Sequence, residues 1–177
     1  MCDRHDLFCV LARGSIFCFA VLIASFGAVI ASAENLTEHQ CSVPKISVVA
    51  DSVNTAETVC TLANKTNTRL LGLGLQISQP IQIEVTEALT APHDVCVALY
   101  DPQQKKIQVL PFECLADQHG RAITFPEMSA QVYFESLIIH EMVHAYVDQV
   151  PKGPFLTTLA QEYLAYAIQI DATAIDD

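Results

Sequence analysis

The chain has 177 residues, with 20 acidic side chains against 9 basic ones and a formal net charge of −11 at pH 7. A chain this acidic is a poor partner for nucleic acid or an anionic membrane surface, since both repel it. Its hydrophobic share of 51% supports a buried core, and its length suits one domain once a leader is set aside.

The first 33 residues read as that leader. Arg4 and Arg13 precede an apolar run from Ser15 to Ile30, and Ala31-Ser32-Ala33 forms an A-x-A cleavage site. Such an order describes a secretory signal, and the run is short for a membrane span. Asp3 and Asp6 offset the two arginines, so an uncleaved anchor stays open as the alternative. Cleavage after Ala33 leaves residues 34–177 as a single exported domain, periplasmic or extracellular, with no stable membrane span. Its oligomeric state is not readable from the sequence.

Cys2, Cys9 and Cys18 leave with the leader, and Cys41, Cys60, Cys96 and Cys114 remain. An even number in a small exported domain predicts two disulfides. The expected pairs are Cys41–Cys60 and Cys96–Cys114, each flanking one local unit. A cysteine metal site would need a close Cys-x-x-Cys pair, which is missing. Asn35-Leu36-Thr37 and Asn64-Lys65-Thr66 match the glycosylation acceptor pattern.

Ile46–Ala50 is a short β-rich run. Val59, Leu62, Leu70 and Leu71 fit a helix over about 56–71, with Gly72 and Gly74 ending it. Ile81–Val85 alternates as a strand. Residues 95–100 and 106–110 flank Asp101-Pro102, whose Asp-Pro order suits a turn, so they read as a hairpin. These strands predict a mixed, mostly antiparallel sheet, followed by a polar connection over 115–125.

A helix over about 127–150 follows, with Thr124…Glu127 as a capping box and Ser129 as a second possible cap. Apolar residues occupy nearly every face of it, which predicts a buried helix. Pro151 and Pro154 bracket the turn that ends it. A second helix over about 155–170 carries Phe155, Leu159, Tyr163, Tyr166 and Ile170 as a stripe expected to be buried, and Glu162 lies on that stripe.

Within the buried helix stand His140-Glu141-Met142-Val143-His144. Residues four apart share a helix face, so both imidazoles can reach one zinc ion. Glu141 is then placed to take a proton from a zinc-bound water. For Glu162, His144 lies about six residues before the turn and Glu162 about nine after it. At 1.5 Å per residue those levels are roughly 9 and 14 Å away, within one helical turn of each other. A His, His, Glu site is therefore permitted, and an unpartnered buried carboxylate would be costly. The bland alternative is a glutamate reaching solvent at the stripe's edge. Asp148 extends the histidine spacing, but three ligands on one straight helix spread over about 12 Å, so it is more a supporting acceptor than a ligand. Tyr146, Tyr163 and Tyr166 are candidate oxyanion donors or core aromatics. His5, His39, His93 and His119 lie outside any ligand spacing.

The His-Glu-x-x-His helix followed by a Glu-bearing helix resembles the gluzincin type of zincin metallopeptidase. The seventeen residues from 145 to 161 are close to that family's usual spacing, and Gln161-Glu162-Tyr163-Leu164-Ala165-Tyr166 is similar to its glutamate helix. The likeness covers about residues 95–170, with residue-level matches in the two helices alone. It implies a small zincin-like α+β domain, with the sheet packed on the active-site helix and the glutamate helix following. It also implies a Zn2+ cofactor on His140, His144 and Glu162, and hydrolysis of a peptide or protein substrate with Glu141 as base. By the same likeness, the 95–110 hairpin is the substrate platform. Thermolysin-like members place an Asp four residues after the Glu to support the first His. Here that position is Tyr166, leaving Asp148 and Asp171 as candidates for the task. A non-catalytic, zinc-stabilised binding or envelope protein is the alternative on the same scaffold.

Overall fold

The computed structural model describes residues 36–90, 97–118, 128–151 and 157–173. The leader over 1–33, Asn35, the Thr124…Glu127 capping box, Phe155, His5, His93 and His119 lie outside the described residues.

Five strands form one sheet: β1 (Thr37–Gln40), β2 (Ile46–Ala50), β3 (Ile81–Val85), β4 (Ala98–Asp101) and β5 (Lys106–Val109). Four helices accompany it: α1 (Val53–Gly72), α2 (Phe112–Gln118), α3 (Ala130–Val147) and α4 (Thr158–Thr173). The sheet order is β1-β2-β3-β5-β4, so β1 and β4 are its edges.

The β1–β2 and β4–β5 pairings are antiparallel, whereas β2–β3 and β3–β5 are parallel. The expectation of a mostly antiparallel sheet therefore needs correcting to an even mixture. The reason is α1. A helix of 20 residues between β2 and β3 carries the chain back along the sheet, so the strands it joins run the same way. Ser52 starts that helix by accepting from the Thr55 N–H at 3.1 Å.

Alternation then builds the core. Ile46 and Val48 stand opposite Ile81 and Ile83, and Ile83 stands opposite Ile107 across the next pairing. All five are fully buried. They share the sheet face on which α1 and α3 pack. The second correction concerns α2, a short helix where a polar connection was expected. It buries Cys114 and Leu115.

The Cys41–Cys60 disulfide is present, with its Cα atoms 5.2 Å apart, and it ties the segment after β1 to α1. Cys114 is also disulfide-bonded, but its expected pairing with Cys96 lies outside the described residues. Asn64 of the second acceptor motif takes the Val43 N–H on its side-chain oxygen at 3.2 Å. Among the described residues, no helix is long and apolar enough to cross a membrane.

Candidate metal centre

Helix α3 begins at Ser129, whose hydroxyl accepts from the Val132 N–H at 3.2 Å. From there Ile138, Met142, Val143, Ala145 and Tyr146 are all fully buried, so the helix is held from several sides. This fixes the rotation of the helix and aims His140 and His144, one turn apart, at α4. Their Nε2 atoms are 3.1 Å from one another. Glu162 meets them from the first half of α4, with Oε2 3.4 Å from His140 Nε2 and Oε1 3.5 Å from His144 Nε2. One ligand atom from each of the three residues lies within 4.8 Å of the others. The sequence-predicted triad is assembled, and it can hold a metal ion.

The proton arrangement around His140 points its free lone pair into the triad. The Ser136 hydroxyl donates to the Tyr133 carbonyl at 2.8 Å, and the Gln169 amide nitrogen donates to Ser136 Oγ at 2.9 Å. The Gln169 carbonyl oxygen is thereby turned to His140 Nδ1, 3.0 Å away. A carbonyl can only accept, so Nδ1 carries the hydrogen and neutral His140 leaves Nε2 unprotonated. Two imidazole nitrogens and a carboxylate converging within 3.5 Å are mutually repulsive unless a proton or a cation lies among them.

Burial pushes both imidazoles below the usual histidine range. At His140 it is opposed by Gln169 and Glu162, and at His144 it is reinforced by His140. The neutral form that burial favours is the one that ligates. Glu141 keeps part of its surface accessible, yet the protein around its carboxyl pushes its pKa up to about 8. The backbone N–H of Tyr100 on β4 faces the Glu141 carboxyl and works against that rise.

The residues expected to support the site are placed elsewhere. Asp148 accepts from the Tyr100 hydroxyl at 2.9 Å and from Lys105 Nζ at 2.6 Å. Asp171 pairs with Arg69. Tyr146 is in the core, donating to the Asn67 side-chain oxygen at 2.6 Å, and Tyr163 faces solvent. Tyr166 alone among the tyrosine candidates reaches the triad. Its ring meets that of His140 edge-on, with centroids 4.6 Å apart.

Support for His140 comes instead from Gln169, which the sequence reading missed. It lies seven residues after Glu162, two turns along the same face. A long amide in that position, beside an apolar residue at 168, was the available signal. The buried stripe expected on α4 is a further correction. Leu159 and Tyr163 are 80% and 76% exposed, and Tyr166 and Ile170 also face out, while Ala165, Ile168 and Gln169 are buried. Small Ala165 lets α4 approach α3 closely enough for Glu162 to reach both histidines. His39 sits half-buried on the edge strand β1, away from this cluster.

A mixed sheet covered by helices, with a His–His–Glu triad between two of them, defines the class: a small α+β protein with a potential metal site. The chain belongs to a family of unknown function, DUF6639, whose model matches residues 46–177, from the first residue of β2 through the whole triad. No curated protein and no solved structure matches it.

Proposed function

We propose that this protein is an exported zinc metallopeptidase of the zincin kind. The observation that carries the reading is the convergence of the three ligand groups, one atom from each lying within 4.8 Å of the others. Zinc bonds of roughly 2.0–2.1 Å arranged as a tetrahedron have edges of about 3.3–3.5 Å; the two Nε2 atoms are 3.1 Å apart, and each lies 3.4 or 3.5 Å from a different oxygen of the Glu162 carboxylate. Two imidazoles and one carboxylate leave a fourth position open, the donor set of catalytic rather than structural zinc. Held there, zinc supplies a Lewis acid that polarises an amide carbonyl and acidifies water.

The chain's own residues supply the rest. Glu141, one residue from the first ligand, accepts the proton of the attacking water on its carboxylate and returns it to the leaving amine. A base whose pKa lies near neutrality suits both tasks. Gln169 holds His140 in the ligating tautomer. By the zincin likeness, the β4–β5 hairpin beside α3 is the platform against which an extended peptide would lie. The Cys41–Cys60 disulfide supports an oxidising compartment, consistent with export.

One observation favours a second reading, a non-catalytic zinc-stabilised binding protein. The exposed stripe Leu159, Tyr163, Tyr166 and Ile170 adjoins the triad, and exposed apolar patches mark surfaces that meet other molecules.

The two readings separate on Glu141→Gln. The variant should retain one zinc per chain while losing about 10²–10⁴-fold of peptide-library cleavage. Zinc analysis and cleavage mapping of the parent and variant check this. Stoichiometric zinc in a parent that cleaves nothing would select the binding protein, and a parent that takes up no zinc would defeat both readings.

A further inference from the structure

Strand β4 is four residues long and, among the described residues, lies at the edge of the sheet with a partner on one side alone. The Leu110 N–H donates to the Val97 carbonyl at 2.9 Å, and Leu99 and Asp101 stand opposite Gln108 and Lys106. Alternation in an antiparallel pair then turns the backbone groups of 99 and 101 toward β5, and those of 98 and 100 toward the open edge. A backbone N–H on an open edge ordinarily goes to water. That of Tyr100 faces the Glu141 carboxyl and opposes the rise of its pKa.

The same residue reaches α3 a second time. Its hydroxyl donates to Asp148 Oδ2 at 2.9 Å, just beyond the last turn of the helix. Lys105, held at φ 54° in the β4–β5 turn, donates to the same oxygen at 2.6 Å. Glu141 and Asp148 are seven positions apart, two helical turns, and therefore lie on one face of α3. Tyr100 thus faces both carboxylates, its backbone N–H toward one and its hydroxyl bonded to the other. Its side chain is buried.

We propose that Tyr100, Asp148 and Lys105 form a latch that seats the open edge of β4 on α3 and thereby positions the Glu141 carboxyl for its work at the metal centre. This rests on the reading of Glu141 as the base. Their side-chain bonds go to one another rather than to the ligand atoms, and Asp148 meets His144 through the helix backbone alone, so they are positioning residues. Without Asp148, the hydroxyl of Tyr100 and the ammonium of Lys105 lose their shared acceptor. The hairpin is then free to lift by a fraction of an ångström, and the Tyr100 N–H leaves the carboxylate. A base displaced by about 1 Å loses on the order of 10²-fold in rate without any change in ligand chemistry.

The test pairs backbone amide hydrogen exchange at Tyr100 with the kinetics of the zinc-loaded protein. In the parent the Tyr100 amide should be protected, and Glu141→Ala should raise its exchange at least tenfold. Asp148→Ala should raise it as well, lowering kcat about 10–100-fold while KM stays within twofold and zinc stays at one per chain. Asp148→Asn, which keeps an acceptor for the hydroxyl, should recover most of both losses. Tyr100→Phe removes the hydroxyl alone, keeps the ring in place, and stands in if Asp148→Ala does not fold. Unchanged Tyr100 exchange in Asp148→Ala or Tyr100→Phe overturns the latch. Raised exchange with parental kcat overturns its positioning role. If the parent cleaves no peptide, the base reading fails, and the exchange measurements alone still decide whether the latch exists.

Discussion

Helices α3 and α4 meet at the His140–His144–Glu162 triad with opposite kinds of burial. Helix α3 is apolar on nearly every face and buried on most of them. Helix α4 turns its large apolar residues, Leu159, Tyr163, Tyr166 and Ile170, outward, and buries Ala165, Ile168 and Gln169. At roughly 100° per residue, the outward stripe lies about 130° around the helix from the buried face, and Glu162 falls on the border between them. The difference teaches what orients a helix beside a polar site. For α3, hydrophobic burial and ligand placement ask for the same rotation. For α4 they conflict, and the rotation that brings Glu162 and Gln169 to His140 leaves the larger hydrophobes in water.

Ile138→Ala in α3 should break the fold most severely. The side chain is fully buried, so removing it costs about 2–5 kcal/mol, readable as a lower denaturant midpoint. A loss under 0.5 kcal/mol would contradict the tight packing assigned to α3.

Gln169→Leu probes the polar face of α4. It leaves His140 Nδ1 without its acceptor and Ser136 without the amide. Metal affinity should fall about 10–100-fold, measured by competition with a chelating dye. Unchanged affinity would mean that Gln169 merely fills space.

The third prediction concerns Glu141 of α3 in the metal-free protein. Burial raises Glu141 to about 8, whereas the unfolded chain ionises near 4.5. Between those values the folded state binds more protons than the unfolded one, so this group's contribution is fully present below pH 4.5 and lost as pH rises toward 8. Glu141→Gln removes that titration. Its stability relative to the parent should therefore grow with pH across this window, by at most about 1.4 kcal/mol per pH unit. Denaturation of both proteins at pH 5, 6 and 7 checks the sign, and an advantage that shrinks with pH would contradict it.

Leu159→Ser on the outward face of α4 should change stability by less than about 0.5 kcal/mol. A thermal scan measures it, and a larger loss would place Leu159 in a packed contact.

Local pattern carried a good deal of this structure. Alternation marked β3, the Asp101-Pro102 turn marked the β4–β5 hairpin, and the all-round apolarity of α3 marked its burial. The four-residue spacing of His140 and His144 placed them on one face. Parallel pairing was less visible, because it depends on where α1 returns the chain. Gln169 was missed for a related reason. A lone amide acquires its role from Ser136 and His140 on another helix, about thirty positions earlier in the chain.

The sequence by itself determined the helix of α3 and the shared direction of its two histidines, since both follow from the rise and turn of a helix over neighbouring residues. It also restricted the third member of the triad, by placing Glu162 at a reachable level beyond a short turn. The tertiary structure decided which face α4 presents, which residue supports His140, and that Asp148 joins Tyr100 and Lys105 rather than a histidine. Those outcomes are set by distances between elements, where a polar contact in a buried site outweighs the hydrophobic pattern of one helix considered alone.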